Sequence, residues 1–157
     1  MLQSMTIANA DVMHVDAILD SGATASMFPL NYYNLSKFCK YPKPSHAIMA
    51  DSTSQLTLYG TAMYGSIPVI VGDIQQPLIS EGALIGSPNY LTILKTGTTA
   101  WILDPDKTPD DPNWILCHCT KESDNLYHPQ NIRKLHTWRP TVSVSYGIIE
   151  QKTTKSK

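Results

Sequence analysis

Cysteines, long apolar runs and secretory signals are scarce or missing in this sequence. Of its 157 residues only three are cysteines, Cys39, Cys117 and Cys119, whose odd number and spacing argue against a disulfide framework and favour a reducing compartment. No apolar run approaches the roughly 20 residues that a transmembrane helix needs, and the N-terminus has no basic stretch followed by an apolar core. The sequence therefore predicts a cytoplasmic protein without a membrane span.

An excess of charge of one sign is also lacking, since 12 basic and 13 acidic residues leave a formal net charge of -1. Charged residues make up 16% and apolar residues 42% of the chain, which is a globular composition. This balance does not predict a nucleic-acid partner. The basic end of the chain, residues 152–157, is too sparse for an electrostatic footprint and is interpreted as a solvated terminus.

Alternating apolar and polar residues predict a mainly β fold of about the size of one domain. A first alternating strand covers residues 11–20 and ends at Asp20. A hairpin follows, in which the polar cluster 51–54 joins strands over residues 46–50 and 56–64. Further strands are predicted over residues 67–71, which read as buried on both faces, 90–94 and 99–103.

Two short helices and a linker complete the predicted organisation. One helix is predicted to begin at Pro29, and a second to be capped by Ser80 and stopped by Gly86. The segment 104–112 is rich in aspartate and proline, which excludes a regular helix and sheet pairing. The predicted boundary therefore separates a folded domain, residues 1–104, from a linker and polar C-terminal segment, residues 105–157.

The tripeptide Asp20-Ser21-Gly22 is the strongest candidate for chemistry. Alone it is a weak signal, because a D-[S/T]-G tripeptide occurs by accident in on the order of one chain in ten of this length. Its context is more specific, since it ends a predicted strand, continues into Ala23-Thr24 and precedes both the polar-tipped hairpin and the apolar segment 77–80. A plain turn at the end of a strand is the alternative interpretation.

This order of features resembles the retropepsins, and most closely the proteases of copia-type LTR retrotransposons. The likeness is carried by residues 17–24, by segment 48–52 with the later Gly60, and by segments 77–80 and 83–85. The resemblance implies a closed β-barrel half-unit with a flap hairpin and one or two short helices, working as a homodimer. It also implies an aspartic endopeptidase that processes a retroelement polyprotein.

The resemblance assigns roles to single residues. Asp20 would be the catalytic carboxylate, Ser21 would hydrogen-bond within the paired turns, and Gly22 would let the two turns approach closely. An extended peptide would bind as an added strand beneath the flap. The residues implied to contact it are Ala23, Thr24, Ala50, Asp51 and Ser52; for Asp51 a surface turn is the alternative.

The presence of a single triplet explains why a dimer is expected. Peptide hydrolysis without a metal or covalent nucleophile needs one group to deprotonate water and another to protonate the leaving amine. Two carboxylates that share one proton can do both, because adjacent like charges resist double ionisation. No second D-[S/T]-G occurs in the chain, so the other carboxylate is expected from a second copy across a twofold axis. Neither a metal nor a cofactor is expected.

Two other interpretations stay open. Segment 25–27 lacks the histidine that many copia-type sequences have after the triplet, and the flap lacks the glycine that usually follows the Ala-Asp pair. These departures favour a catalytically inactive, retropepsin-fold module for dimerisation or peptide binding. A zinc site is the second alternative, but the spacing of its candidate ligands is poor. Those ligands are Cys117, His118, Cys119, His128 and His136.

Overall fold

The computed structural model describes residues 17–48 and 54–141, which form one sheet of ten strands with two short helices. In chain order the elements are β1 (Ile18–Asp20), β2 (Met27–Pro29), β3 (Leu35–Ile48), β4 (Gln55–Tyr64), β5 (Ile67–Gly72), β6 (Leu78–Ser80), α1 (Glu81–Ile85), β7 (Thr92–Lys95), β8 (Thr99–Leu103), β9 (Ile115–Lys121), β10 (Tyr127–Pro129) and α2 (Arg133–Thr137). The order across the sheet is β3-β4-β5-β2-β6-β1-β10-β9-β8-β7.

The mainly β fold with short helices is confirmed, whereas the closed barrel is not what these strands form. Within the described residues the sheet is open, because β3 and β7 each pair with a neighbour on one side only. Neither helix in this part of the chain is long and apolar enough to cross a membrane.

Strand β1 lies in the middle of the sheet. Ala17 and Leu19 are buried while Ile18 and Asp20 are partly exposed, which is the alternation that the sequence predicts for this stretch. Residues 11–16 of the predicted strand lie outside the described residues. β1 runs parallel to β6 and antiparallel to β10, so both of its edges are hydrogen-bonded.

The connection between β1 and β2 passes across the end of β6. β1 pairs with β6 on one side, and β2 pairs with β6 on the other, through Met27 and Leu78. β2 also runs parallel to β5. The segment 20–26, which we call the active turn, therefore joins two strands that flank a third, and both of its ends are fixed by sheet pairing.

The hairpin of β3 and β4 confirms the predicted strand pairing, but the helix predicted to begin at Pro29 is wrong. Pro29 ends β2, and its carbonyl accepts a hydrogen bond from the Tyr32 N–H in a turn. Asn31 and Asn34 have φ of 68° and 67°, a left-handed conformation that a right-handed helix cannot contain. The following residues extend into β3 because they pair with β4.

Three further local predictions concern α1, the hairpin of β7 and β8, and strand β5. The Ser80 hydroxyl caps α1 by accepting the Ala83 N–H, and Gly86 ends the helix as predicted. The hairpin of β7 and β8 is confirmed. β5 is present, but Pro68 is exposed, so the strand is buried on one face rather than on both.

The segment after the linker completes the same core. β9 pairs with β8, and β10 pairs with both β9 and β1, so this segment fills the gap between β1 and β8. Leu116, Cys119 and Leu135 belong to the hydrophobic cluster that also contains Phe28 and Leu84. Residue 104 therefore does not separate two hydrophobic cores, and the predicted boundary between residues 1–104 and 105–157 stays a prediction.

Candidate active site

Asp20 occupies the last position of β1, in register with Ser80 of β6. Its side chain is partly exposed, and Oδ1 accepts a hydrogen bond of 2.8 Å from the Gly22 N–H. Among the described residues no other hydrogen bond reaches this carboxylate. A backbone donor of this kind fixes the orientation of the carboxylate. One oxygen is thus engaged by the turn, and the group is accessible from one side of the sheet.

Two buried serines fasten the active turn to its surroundings. The Ser80 hydroxyl donates to the Ala23 carbonyl at 2.6 Å and accepts from the Ala83 N–H at 3.0 Å. The Ser80 N–H in turn donates to the Ser26 hydroxyl at 3.0 Å. Ser26 and Ser80 are 1% and 0% exposed, so water cannot replace these bonds and each loss would leave a buried polar group unsatisfied.

The ends of the turn are held by backbone bonds as well. The Ile18 N–H donates to the Pro77 carbonyl, and the Ile70 N–H donates to the Ser26 carbonyl, each at 2.9 Å. Sequence reasoning predicted Ser80 only as a helix cap and missed Ser26. Ser26 could have been recognised as a small polar residue in an otherwise apolar stretch that leads into a strand. A hydroxyl buried in such a place needs a hydrogen-bond partner.

Gly22 is not required by packing against the residues that the structure describes. A Cβ built there would lie 3.5 Å from Asp20 Oδ1, which is ordinary van der Waals contact. At Gly60, by contrast, a Cβ would lie 2.2 Å from the Cys39 carbonyl oxygen, which no side chain tolerates. Packing within residues 17–48 and 54–141 therefore gives no reason for glycine at position 22. The roles implied for Ser21 and Gly22 in paired turns stay predictions.

An apolar cavity of about 500 Å³ adjoins the active turn. Asp20 does not line it, so the cavity lies beside the carboxylate rather than around it. Thr24 belongs to its wall, and the Ala23 carbonyl accepts from the Ser80 hydroxyl. That these two residues contact a substrate stays a prediction. The wall also includes Ala25, Ser26, Met63, Pro68, Ile70, Ala83, Pro88 and Asn89.

The predicted flap contacts fall outside the described residues. Ala50, Asp51 and Ser52 belong to segment 49–53, of which the structure gives no account. The strands on either side of this segment pair up to Ile48 and Gln55. The structure therefore describes the paired strands of the predicted hairpin, while the contacts predicted for residues 50–52 stay predictions.

The candidate zinc ligands do not come together. Among the described residues no group of three or more histidine, cysteine, aspartate or glutamate side chains could hold a metal ion. Cys117 and Cys119 are buried while His118 between them is exposed. The hydrogen bond between the two thiols raises the pKa of Cys119 and lowers the pKa of Cys117, so it favours the thiolate that zinc binds at only one of the two positions.

Comparison of the chain with models of protein families, with curated proteins and with solved structures finds no match.

Proposed function

We propose that this chain is an aspartic endopeptidase that works as a homodimer and processes a retroelement polyprotein. The observation that carries the proposal is the Asp20 carboxylate, which ends a central strand, is oriented by the Gly22 N–H and lies in a turn fastened by buried hydroxyls. A carboxylate that does acid–base chemistry must be accessible and held in place, and the active turn meets both requirements.

In the proposed mechanism two Asp20 side chains meet across a twofold axis and share one proton. The ionised carboxylate takes a proton from a water molecule held between them, and that water attacks the peptide carbonyl. The protonated carboxyl then gives its proton to the leaving amine. The bond from the Gly22 N–H would hold each carboxylate in its orientation toward the shared water.

The lack of a packing reason for Gly22 among the described residues supports the dimer. Two turns that each present Asp20 must approach to within hydrogen-bond distance of one water, and a side chain at position 22 would lie beside Asp20 Oδ1, between the carboxylate and a partner. Glycine there is explained by a second copy better than by the fold of one chain.

The apolar cavity next to Thr24 supports an extended peptide as substrate. A peptide bound as a strand projects alternate side chains to the same face, and a cavity of about 500 Å³ with an apolar wall suits a large apolar side chain. The hairpin of β3 and β4 would cover the peptide from the other side. Its exposed Phe38 and Ile48, 48% and 72% exposed, provide apolar contact surface.

The test is a profile of cleavage rate against pH for a peptide library, measured at several protein concentrations with and without a chelator. Activity should fall on both sides of a mildly acidic optimum, because the active form carries one proton between two coupled carboxylates. Specific activity should rise with concentration until the dimer dominates. The chelator should have no effect.

Two outcomes would overturn the proposal. Loss of activity with the chelator, or a single limb rising toward alkaline pH, would indicate different chemistry. A verified dimer that cleaves nothing at any pH would favour the inactive binding module instead.

A further inference from the structure

Asn89 is a buried polar residue in the wall of the apolar cavity beside the active turn. Most other polar residues of this wall are exposed, so solvent can satisfy their side chains; they are Thr24, Lys37, Thr61 and Ser87. Ser26 is buried, but its hydroxyl already accepts the Ser80 N–H. Asn89, at 2% exposure, therefore decides which polar group the inside of the cavity presents.

The orientation of the Asn89 amide is set by the turn between β4 and β5. The Nδ2 group donates to the Ser66 carbonyl at 3.1 Å, and the backbone N–H of Asn89 donates to the Gly86 carbonyl at 3.1 Å. Because a carbonyl only accepts, the Nδ2 side of the amide must face Ser66. The Oδ1 atom consequently points away from Ser66, in a side chain that is held at two places.

The Oδ1 atom of Asn89 is an acceptor without a donor among the described residues. It is not sealed from solvent, since the described polar atoms that are both sealed and without a partner are His128 Nδ1 and Trp138 Nε1. Oδ1 thus keeps accessible surface, and the surface left to this buried side chain opens to the cavity that it lines. A donor inside the cavity can therefore reach it.

An acceptor in an apolar wall selects for a side chain that is apolar along its length and carries a donor at its end. Tyrosine and tryptophan are of this kind, with an aromatic body and one O–H or N–H. Phenylalanine and leucine would cover Oδ1 without giving it a donor, which leaves a buried acceptor unsatisfied. Ionised aspartate and glutamate only accept, and the Lys37 ammonium in the same wall disfavours lysine and arginine.

We infer that Asn89 is a specificity-determining residue and that the cavity takes a tyrosine or tryptophan side chain of the substrate. The O–H or N–H of that side chain donates to Asn89 Oδ1, while its ring packs on the apolar wall formed by residues such as Met63 and Ile70. This inference rests on the proposed peptidase function, because the cavity adjoins the turn that carries Asp20. It narrows the large apolar side chain of that proposal to an aromatic one with a donor.

The cleavage arm of the test uses the full chain and peptides in which each position near the scissile bond is varied in turn. The variants carry tyrosine, tryptophan, phenylalanine, leucine or lysine, and kcat/KM is measured for each by mass spectrometry. At one position tyrosine and tryptophan should exceed phenylalanine by at least about fivefold, because a site with a buried acceptor discriminates against the analogue that lacks the donor.

Asn89→Leu removes Oδ1 at similar volume and should abolish this preference. Asn113→Leu makes the same chemical change at an exposed position outside the cavity and should keep it. Because Asn89→Leu also leaves the Ser66 carbonyl without its donor and can weaken the fold, a binding arm on the unmodified chain accompanies the variants.

The binding arm titrates the unmodified full chain with 4-methylphenol and with toluene, which reproduce the side chains of tyrosine and phenylalanine. The readout is the Met63 methyl signal and the side-chain amide signals of Asn89 in nuclear magnetic resonance spectra, since both residues line the cavity. 4-Methylphenol should bind at least about fivefold more tightly than toluene, because only the phenol supplies a donor to Oδ1.

The two arms separate this inference from the proposed function. If no peptide is cleaved but 4-methylphenol is preferred, the peptidase function fails and the assignment of Asn89 as the acceptor stands. Cleavage that favours phenylalanine or leucine over tyrosine overturns the inference and leaves the peptidase intact. Equal or tighter binding of toluene overturns it as well, and so does an unchanged preference in a folded Asn89→Leu variant.

Discussion

The active turn and the hairpin of β3 and β4 are proposed to act on the same peptide, yet they are built in opposite ways. The turn is tied to β6, α1 and β5 through buried groups, above all Ser26 and Ser80. β3 is exposed along nearly all of its 14 residues, and its register with β4 is interrupted between Ser36 and Cys39 and between Lys40 and Ser45. Tertiary contacts fix the turn, whereas the hairpin depends on its own cross-strand pairs, so the hairpin should open locally at a lower free energy than the turn.

Asp20→Asn should have the largest effect, and on activity alone. The exchange removes the acid–base function but keeps the shape, so cleavage of a peptide should fall by on the order of 100- to 10,000-fold. The free energy of unfolding, measured by urea denaturation, should stay within about 0.5 kcal/mol, because the side chain is only partly buried. Activity within a few-fold of that of the unmodified chain would remove Asp20 from the mechanism.

Gly60→Ala should damage the hairpin more than the turn. The new Cβ would meet the Cys39 carbonyl oxygen and the Lys40 Cα, both backbone atoms of β3, so the strands must separate or slip at a cost of about 1–3 kcal/mol. Amide hydrogen exchange should accelerate in β3 and the adjoining half of β4 while the Ile18 and Ile70 amides stay protected. Gly97→Ala is the matched control, since nothing lies within 4 Å of a Cβ there. Equal acceleration in both regions would mean that they form one cooperative unit.

Ser80→Ala should loosen the active turn and spare the hairpin. It removes the hydroxyl that joins the Ala23 carbonyl to the Ala83 N–H, and we expect a loss of about 1–2 kcal/mol of stability in urea unfolding. Ser36→Ala, an exposed serine of β3, makes the same chemical change and should cost less than about 0.5 kcal/mol. If the two substitutions cost the same, the buried hydroxyl does not anchor the turn.

Gly22→Ala should have the smallest effect on stability, within about 0.5 kcal/mol, because a Cβ there makes ordinary contacts. Self-association should nevertheless weaken at least tenfold in sedimentation equilibrium, since the proposed dimer brings two such turns together. A variant that unfolds would show that the chain itself needs this glycine. A dimer of unchanged affinity would place the twofold contact elsewhere.

The parts of the fold that the sequence predicts are those with local signals. The alternation of apolar and polar residues predicts a strand that ends at Asp20. A serine before a short apolar segment and a glycine after it predict α1. The helix expected after Pro29 fails because its apolar spacing is outweighed by the left-handed Asn31 and Asn34 and by cross-strand pairing with β4. The anchoring role of Ser26 depends on a contact with Ser80, 54 positions away in the chain, which leaves no periodic trace in the sequence.

The three-residue strand β10 pairs with the central strand β1 but is translated much later. Tyr127 of β10 pairs with Leu19 of β1, which is synthesised about 100 residues earlier. Until β10 emerges from the ribosome, one edge of β1 has no strand to pair with. At about 5–20 residues per second β1 would wait on the order of 5–20 s for that neighbour. If the proposed function holds, the sheet around Asp20 would be incomplete until β10 has been translated, and the first cleavage would be delayed by that time.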